Sequence, residues 1–502
     1  MLAIKNCAPF PQVLCVYSPK GDLIAKWEKW LQKDDQRSLL VFKEEASKPS
    51  LSDGDRIRFF HFSNDNQEEL FKQLAWEYLF LDFSYELHPS CSATQRKKAE
   101  EHFSELQRMH MGVHLLASDF RDLGAQVIKN VTANLKHHAA SREGKALFQQ
   151  FNQVPAIICG AGPSLKKNLS LLKSLHSHAL LLAGGSTLNI LARYGLTPHF
   201  SAGIDPNPPY RRFMAHTAFE APFFYQDRLS KDILSSVHAE KIWMPGSGGY
   251  PLEEWLISHI HSPSSPFDGG WNVSTFLTAI AVELGCSPII FVGMDLAGDR
   301  KSFYAEGIQD TFAKEELIEV LNEKGEVVLT RKDWLMAAHW LESFASSWPD
   351  KIFINATEGG LSLKGIPSLA LRHVKEQYLQ KSFDFEGLVH TAFQSAAKKA
   401  GPIEKYLQQV FDSFTRCQDI SLSLLKLYEE HFPHDPLEKS SFILLQFELE
   451  EELVYQKFLF PLWSIWGHLF QRQPFPHYSP KAALFLSQLL FFQEAIHKVG
   501  MS

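Results

Sequence analysis

Val154-Pro155-Ala156-Ile157-Ile158-Cys159-Gly160-Ala161-Gly162-Pro163-Ser164-Leu165 is the stretch that decides the fold. An apolar run of strand length breaks into Gly-Ala-Gly-Pro-Ser-Leu, and Lys166-Lys167-Asn168-Leu169 then begins a helical pattern. Glycine leaves the backbone free to approach an anion, and Pro163 suits a first helical position, where its missing N–H costs nothing. Free N–H groups and the helix dipole favour a negative ligand at such a place. The stretch lacks the third glycine of the dinucleotide fingerprint and the Lys-Ser/Thr of a P-loop. The stretch reads as a strand–turn–helix unit, its turn either a phosphate site or a plain glycine turn without a ligand.

From Val154 to about Pro367 short apolar runs alternate with helical patterns. Strands are expected at Ala156–Cys159, Ala179–Ala183, Phe200–Ile204, Phe223–Gln226, Lys241–Met244, Ile289–Val292 and Lys351–Asn355. Helices are expected at Leu169–His176, Thr187–Tyr194, Ser274–Leu284 and Lys332–Trp348. That alternation calls for an α/β parallel sheet covered on both faces, with ligands beyond the carboxyl ends of its strands.

On either side the texture differs. The first ~110 residues read as a small α/β domain, with strands at Val13–Tyr17, Ser38–Lys43, Ile57–Phe62 and Tyr78–Tyr85, and helices at Asp22–Leu31 and Ser63–Glu77. Its Ser18-Pro19-Lys20-Gly21 turn is either an anion site or an ordinary turn. Gln95–Gln149 has helical periodicity, and its histidines (His110, His114, His137, His138) read as solvated. Beyond about Ser368 long helical runs, Phe411–His431, Ser440–Phe460 and Pro480–Val499, predict a helical bundle. They are separated by Phe432–Pro436 and Gln473–Pro476, and aromatic residues gather at Phe458, Phe460, Trp463, Trp466 and Phe470. The expected domains are therefore 1–110, 111–370 and 371–502.

A net charge of −7 speaks against a general nucleic-acid binder. The six cysteines form no C-x-x-C pair and read as free thiols of a reducing compartment. No apolar run reaches the ~20 residues of a membrane span, and Met1–Cys15 lacks an apolar signal core. A soluble cytoplasmic protein is expected.

The residues that end the expected strands share a chemistry. They are Gly160–Leu165, Gly184-Gly185-Ser186-Thr187, Gly203-Ile204-Asp205-Pro206-Asn207-Pro208-Pro209, Tyr225-Gln226-Asp227, Pro245-Gly246-Ser247-Gly248-Gly249-Tyr250, Gly293-Met294-Asp295-Leu296-Ala297-Gly298-Asp299 and Ala356-Thr357-Glu358-Gly359-Gly360. Gly269-Gly270-Trp271-Asn272-Val273-Ser274-Thr275 opens a further helix. Gly, Ser, Thr, Asp and Glu handle phosphate, hydroxyl and divalent cation. Asp205 reads either as a metal or ribose ligand or as the start of an Asp-Pro turn.

The order of Gly-Ala-Gly-Pro-Ser-Leu, Pro198-His199-Phe200 with Gly203-Ile204-Asp205-Pro206, Val292-Gly293-Met294-Asp295-Leu296-Ala297 and Asn355–Gly360 resembles the MptE-like / motility-accessory-factor (Maf) family over about residues 110–370. The resemblance implies a Rossmann-like central domain. It also implies one of two activities. Maf relatives look like sialyltransferase-type enzymes that move a nonulosonic acid from a CMP-sugar to a protein Ser/Thr, and archaeal relatives are 6-hydroxymethylpterin diphosphokinases using ATP and Mg2+. Carried over position by position, Gly160, Gly162, Pro163 and Ser164 match the glycine-turn motif, Asp205 the acidic strand end, Asp295 the Asp-Leu-Ala motif and Thr357–Gly360 the Thr-Glu-Gly-Gly motif. Two positions depart from the pattern: many relatives have Gln at Met294, and many have a His where this chain offers Tyr304.

Both activities place a nucleotide's phosphates at Gly160–Leu165. The expected catalytic groups are Asp205, Asp295, Glu358 and His199, with His339 a further candidate base. Gly160, Gly162, Pro163, Ser164, Gly184, Gly185, Asn272, Ser274, Thr275, Thr357 and Gly359 are expected to hold the nucleotide, and Asp205 with Asp295 to hold Mg2+. The three-part plan favours the glycosyltransferase, with a small-molecule nucleotide donor of CMP type and a protein acceptor. An ATP-dependent diphosphokinase is the alternative, and a non-catalytic scaffold is the third.

Overall fold

The computed structural model describes residues 12–44, 56–61, 67–208, 220–246, 248–261, 266–298, 303–305, 317–396, 401–431, 437, 439–470 and 480–500. Cys7, Pro209, Ser247, Asp299 and the proline-containing breaks 432–436 and 473–476 lie outside the described residues. Packing divides the chain into two units, Met1–Asp119 with Ile465–Gln473, and Phe120–Ser464 with Pro474–Ser502.

The first unit carries a four-stranded sheet of β1 (Val13–Tyr17), β2 (Ser38–Lys43), β3 (Ile57–His61) and β4 (Phe83–Leu87). The order is β3-β2-β1-β4 and every pair is parallel. Alternate residues feed opposite faces: Val13, Cys15 and Tyr17 pack with Phe71 and Leu74, while Leu14 and Val16 pack with Trp27 and Leu31. The strand expected at Tyr78–Tyr85 begins later, at Phe83. Tyr78, Leu79 and Leu81 close the end of the helix Gln67–Glu77 through backbone bonds to Leu74, Trp76 and Tyr78, and Phe80 turns left-handed at φ 64°. The Ser18–Gly21 turn closes on itself, Gly21 N donating to Ser18 O and Ser18 Oγ to Asp22 O. His110 and His114 are half-buried, against Phe83 and Phe80.

The second unit is built on eight strands: β5 (Arg142–Glu143), β6 (Ala156–Cys159), β7 (Leu180–Gly184), β8 (Phe200–Gly203), β9 (Phe223–Tyr225), β10 (Lys241–Trp243), β11 (Ile289–Val292) and, after an antiparallel hairpin of β12 (Ile318–Leu321) and β13 (Val327–Thr330), β14 (Phe353–Asn355). The large sheet has the order β14-β11-β6-β7-β8-β9-β10-β5. Each neighbouring pair is parallel. Its inner strands are largely apolar because both faces are covered, while the edge strand β5 is Arg142–Glu143. On one face Ile158, Leu182, Phe200 and Phe291 meet the helices Val273–Glu283 and Lys332–Ser347. On the other Ile157, Cys159, Leu181 and Val292 meet Leu165–Ser174 and Ser186–Arg193. Succession runs outward from β6 to β10 and then jumps back to β11 on the other flank of β6. The switch point therefore lies between β6 and β11, where strand-end loops part and open a crevice.

Two helical expectations change. The long helix ends at Asn134, not near Gln149, because the chain tightens into a 3-10 turn and then pairs as β5 on the sheet edge. His138 is buried there, its Nε2 2.7 Å from Asp227 Oδ1 and its Nδ1 2.9 Å from His261 Nε2. The helix expected over Ser440–Phe460 stops at Glu451. Glu452 turns extended and its carboxylate takes hydrogen bonds from Ser413 Oγ and Arg416. Ile403–His431, Phe460–Phe470 and Pro480–Val499 complete the helical region. Phe458 and Trp463 are buried in it, and Phe460 is half exposed. Five cysteines, Cys15, Cys91, Cys159, Cys286 and Cys417, are free and buried. Among the described residues no helix is long and apolar enough to cross a membrane.

Candidate active site at the strand switch point

The turn after β6 is held by the loop after β11. Gly160 N donates to Val292 O at 2.8 Å and Gly162 N to Gly293 O at 2.9 Å. Asp295 then folds under the turn: its Oδ2 accepts from Ser164 Oγ at 2.7 Å and from Ser164 N at 3.3 Å. A Cβ on Gly162 would stand 2.0 Å from that same oxygen, so the second glycine is required by the carboxylate beneath it. The loop after β14 closes the other side. Leu361 N donates to Asp295 O at 2.8 Å, and Gly360, at φ 71°, brings its Cα so near that a Cβ would lie 2.1 Å from Asp295 O. Thr357 Oγ1 accepts from Met294 N at 3.2 Å, and Asn355 Oδ1 from Thr357 N at 3.1 Å. Three motifs that lie far apart in the chain, Gly160–Ser164, Met294–Asp295 and Thr357–Gly360, thus form one packed knot.

Asp295 is 4% exposed. Burial pushes its carboxyl up to about 6, against the opposing pull of the Ser164 hydrogen bonds and the Lys167 charge. Lys167, in the first turn of the helix Leu165–Ser174, donates through Nζ to Glu358 O at 3.1 Å. Above the knot opens a cleft of ≈ 550 Å³ lined by Pro163, Lys167, Asp295, Glu358, Gly359 and, from the β12–β13 turn, Lys324. A volume of that order suits a nucleotide-sized ligand.

The hairpin was not expected from the sequence. It is a fixed wall of the cleft: Gly298 and Leu329 exchange backbone bonds of 2.8 and 2.9 Å, and Thr330 Oγ1 donates to Leu296 O at 2.7 Å. Its signal was present, as Ile318–Leu321 and Val327–Thr330 are β-rich runs flanking Asn322-Glu323-Lys324-Gly325.

The other expected site residues fall elsewhere. Asp205 ends β8, three strand positions from Asp295, a displacement on the order of 14 Å at ~4.8 Å per strand. It forms an Asp turn, its Oδ1 accepting from Asn207 N at 3.0 Å and its carbonyl from Ser230 N at 3.0 Å. Asp205 and Asp295 share no partner among the described residues, so the pair does not fit one shared Mg2+. His199 stands at the amino end of β8, opposite the cleft. Its Nδ1 accepts from Leu181 N at 2.8 Å, its ring packs on His176 and Phe385, and burial pulls its pKa down to about 3. That placement removes it from the reacting end of the sheet. His339 is on the helix Lys332–Ser347, its Nδ1 3.4 Å from Glu342 Oε2.

Asn272 caps the helix Val273–Glu283: its Oδ1 accepts from Ser274 N at 2.9 Å and Thr275 N at 3.0 Å, while Thr275 Oγ1 accepts from Asn272 N at 3.0 Å. These groups are occupied by the capping box. Gly184 packs on Val273 of that helix, and Gly185 is the N-cap of Ser186–Arg193. Glu358 Oε1 accepts from Leu371 N at 3.3 Å, at the start of another helix. Met294 points into the apolar core, so Met in place of Gln removes no polar contact from the cleft. Tyr304 packs edge-on against Trp334 at 5.8 Å.

The fold and the cleft together define a doubly wound α/β protein with a strand-end pocket at its switch point. Residues 129–301 match the MptE-like family, described as 6-hydroxymethylpterin diphosphokinase MptE-like, which bears out the resemblance for the central segment. Among solved structures the chain is similar to the MAf glycosyltransferase from Magnetospirillum magneticum AMB-1, with a TM-score of 0.56 and 15% identity, covering 97% of this chain and 79% of that one. No curated protein sequence matches. The likeness at 15% identity establishes a shared fold.

Proposed function

We propose that this protein is a glycosyltransferase-like enzyme that takes a nucleotide-activated sugar, of CMP-nonulosonate type, and transfers the sugar to a hydroxyl of a protein Ser or Thr. The observation that carries the proposal is the cleft at the β6/β11 switch point, with a glycine turn on one wall and a nearly buried Asp295 in its floor. The fold shared with a Maf glycosyltransferase over 97% of the chain supports the same reading.

The donor phosphate docks beside Gly160–Ser164, where Lys167 meets its charge, since the N–H groups of Gly160, Gly162 and Ser164 already donate to Val292 O, Gly293 O and Asp295 Oδ2. In the transfer the bond from the anomeric carbon to the phosphate oxygen breaks, and the nucleotide leaves with the electron pair. The acceptor oxygen bonds to the same carbon and gives up its proton. In this reading Asp295, with a carboxyl raised to about 6, takes that proton. The family description over residues 129–301 favours a second reading, a diphosphokinase using ATP, with the same phosphate cradle.

Thermal-shift titration with CMP, CMP-N-acetylneuraminate, ATP and GTP, with and without Mg2+, separates the two. Stabilisation by the cytidine ligands and not by ATP is the expected result. Stabilisation by ATP alone would replace the transferase with the kinase, and no shift with any nucleotide would leave a scaffold.

A further inference from the structure

Beside β9 and β10, away from the cleft, the second unit buries an acid that the proposed transfer does not use. Glu253, in the first turn of the helix Pro251–Ile260, is 1% exposed, and neither of its carboxyl oxygens has a hydrogen-bond partner among the described residues. A buried carboxylate without hydrogen bonds is costly, and the group avoids that cost by keeping its proton. Its surroundings act in the same direction. Asp227, in the loop after β9, faces it with both oxygens occupied: Oδ1 lies 2.7 Å from His138 Nε2, and Oδ2 accepts from Trp243 Nε1 at 2.8 Å. A carboxylate so held resists a second negative charge beside it. Burial first, and then Asp227, push the Glu253 carboxyl well above the usual carboxylate range; Arg228 opposes them, and Glu254 on the same helix adds to them. His138 meets His261, at the end of that helix, with Nδ1 2.9 Å from Nε2. Ile403–His431 and Tyr455–Leu459 pack on the same helix, with Tyr406 against Trp255 and His259.

Arg228 is engaged with the chain that leads into this helix. Its guanidinium lies 5.8 Å from the centre of the Tyr250 ring, and a Cβ on Gly248 would stand 2.6 Å from its Nη1. Tyr250 also stacks on Phe120 at 4.6 Å. The two residues before Tyr250 are left-handed, Gly248 at φ 69° and Gly249 at φ 89°, a conformation that glycine enters and leaves without strain. The helix start is therefore seated by Arg228, Tyr250 and the buried Glu253, and joined to the sheet by a pivot of two glycines. We propose that Glu253 is a proton latch: with its proton the first turn of the helix stays seated beside Asp227, and without it the turn swings out on Gly248 and Gly249 to bring the carboxylate to water. One proton passes to solvent and no other bond changes. The chain that moves follows β10 at its carboxyl end, the edge of the sheet on which the cleft opens, so the latch makes that edge responsive to pH. The assignment holds whatever the cleft binds.

Hydrogen–deuterium exchange of the full-length wild type, of Glu253→Gln and of Glu253→Leu, between about pH 6 and about pH 9 and with each rate divided by its intrinsic value, tests it. In wild type the protection of peptides covering Tyr250–Trp255 is expected to fall as pH rises, by up to about tenfold per pH unit, the limit for release of one proton. Both variants should stay flat over the same range, because neither side chain has that proton to lose. Peptides covering β6 and β7 should be flat in all three proteins. A flat wild-type profile overturns the latch, and so does an equal fall in either variant. Protection that falls as pH is lowered would show a carboxylate held by Arg228 and overturns it as well. The two variants differ in polarity, so one that folds poorly leaves the other to decide, and melting at pH 6 checks that each is folded.

Discussion

Asp295 concentrates most of the physics of the cleft in one carboxyl group. A carboxyl that is 4% exposed with a raised pKa prefers its proton in the folded state more than in the unfolded chain. Below the unfolded value of 3.8 both states are protonated and the group is neutral toward stability. As pH rises from there to about 6 the folded protein must give up a proton that it holds more tightly, so stability falls; above about 6 the penalty is constant. At ~1.4 kcal/mol per pKa unit the difference between pH 4.5 and pH 7.5 is about 2 kcal/mol. Asp295→Asn keeps an acceptor for Ser164 and has no such dependence. Urea denaturation of both proteins should therefore show the Asn variant gaining about 2 kcal/mol on wild type between pH 4.5 and pH 7.5. A difference that stays flat with pH would mean that the carboxyl is not held up by burial. Burial of this carboxyl therefore carries a cost in stability at neutral pH.

At the scale of elements, what the sequence made legible was local. β6 and β11 have the expected limits, because Ala156–Cys159 and Ile289–Val292 are short apolar runs that end in glycine. Strand order is a long-range property, and no pattern in the chain announces that β11 lies beside β6 while β8 lies three positions away from β11. That is why Asp295 joins the glycine turn and Asp205 does not, although both follow strands and both looked alike in sequence. Asn272 teaches the converse: Asn, Ser and Thr at a helix start serve capping and phosphate binding equally well on paper, and only the hydrogen bonds decide. Asn272→Ala should lower stability by about 1 kcal/mol through loss of the cap, with nucleotide affinity unchanged. Chemical denaturation measures the first and calorimetry the second. A large loss of affinity with intact stability would return Asn272 to the ligand site. The hairpin is hidden for a different reason: it stands outside the alternation of the sheet, as an insertion between β11 and β14 that pairs, among the described residues, with itself and with Gly298.

Over the whole molecule, two separate parallel sheets serve one chain, and only the larger carries the glycine–aspartate knot. The knot draws its three motifs from positions nearly 200 residues apart, so each loop is ordered by the other two more than by its own sequence. A ligand that docks on the glycine turn should stiffen all three together, since the backbone bonds Gly160–Val292, Gly162–Gly293 and Asp295–Leu361 link them. Hydrogen–deuterium exchange followed by mass spectrometry reads this peptide by peptide. With CMP at ~100 times its dissociation constant, binding adds about 2.7 kcal/mol to the unit that holds the site. Slowed exchange is then expected in peptides covering Gly160–Ser164, Gly293–Asp295, Asn322–Glu326 and Thr357–Gly360. Peptides from β1 to β4 should exchange as in the free protein. Protection confined to Gly160–Ser164 would show that the three loops are packed together without being coupled. Protection centred on β1–β4 would move the nucleotide to the smaller sheet, whose order β3-β2-β1-β4 also has a switch point, between β1 and β4.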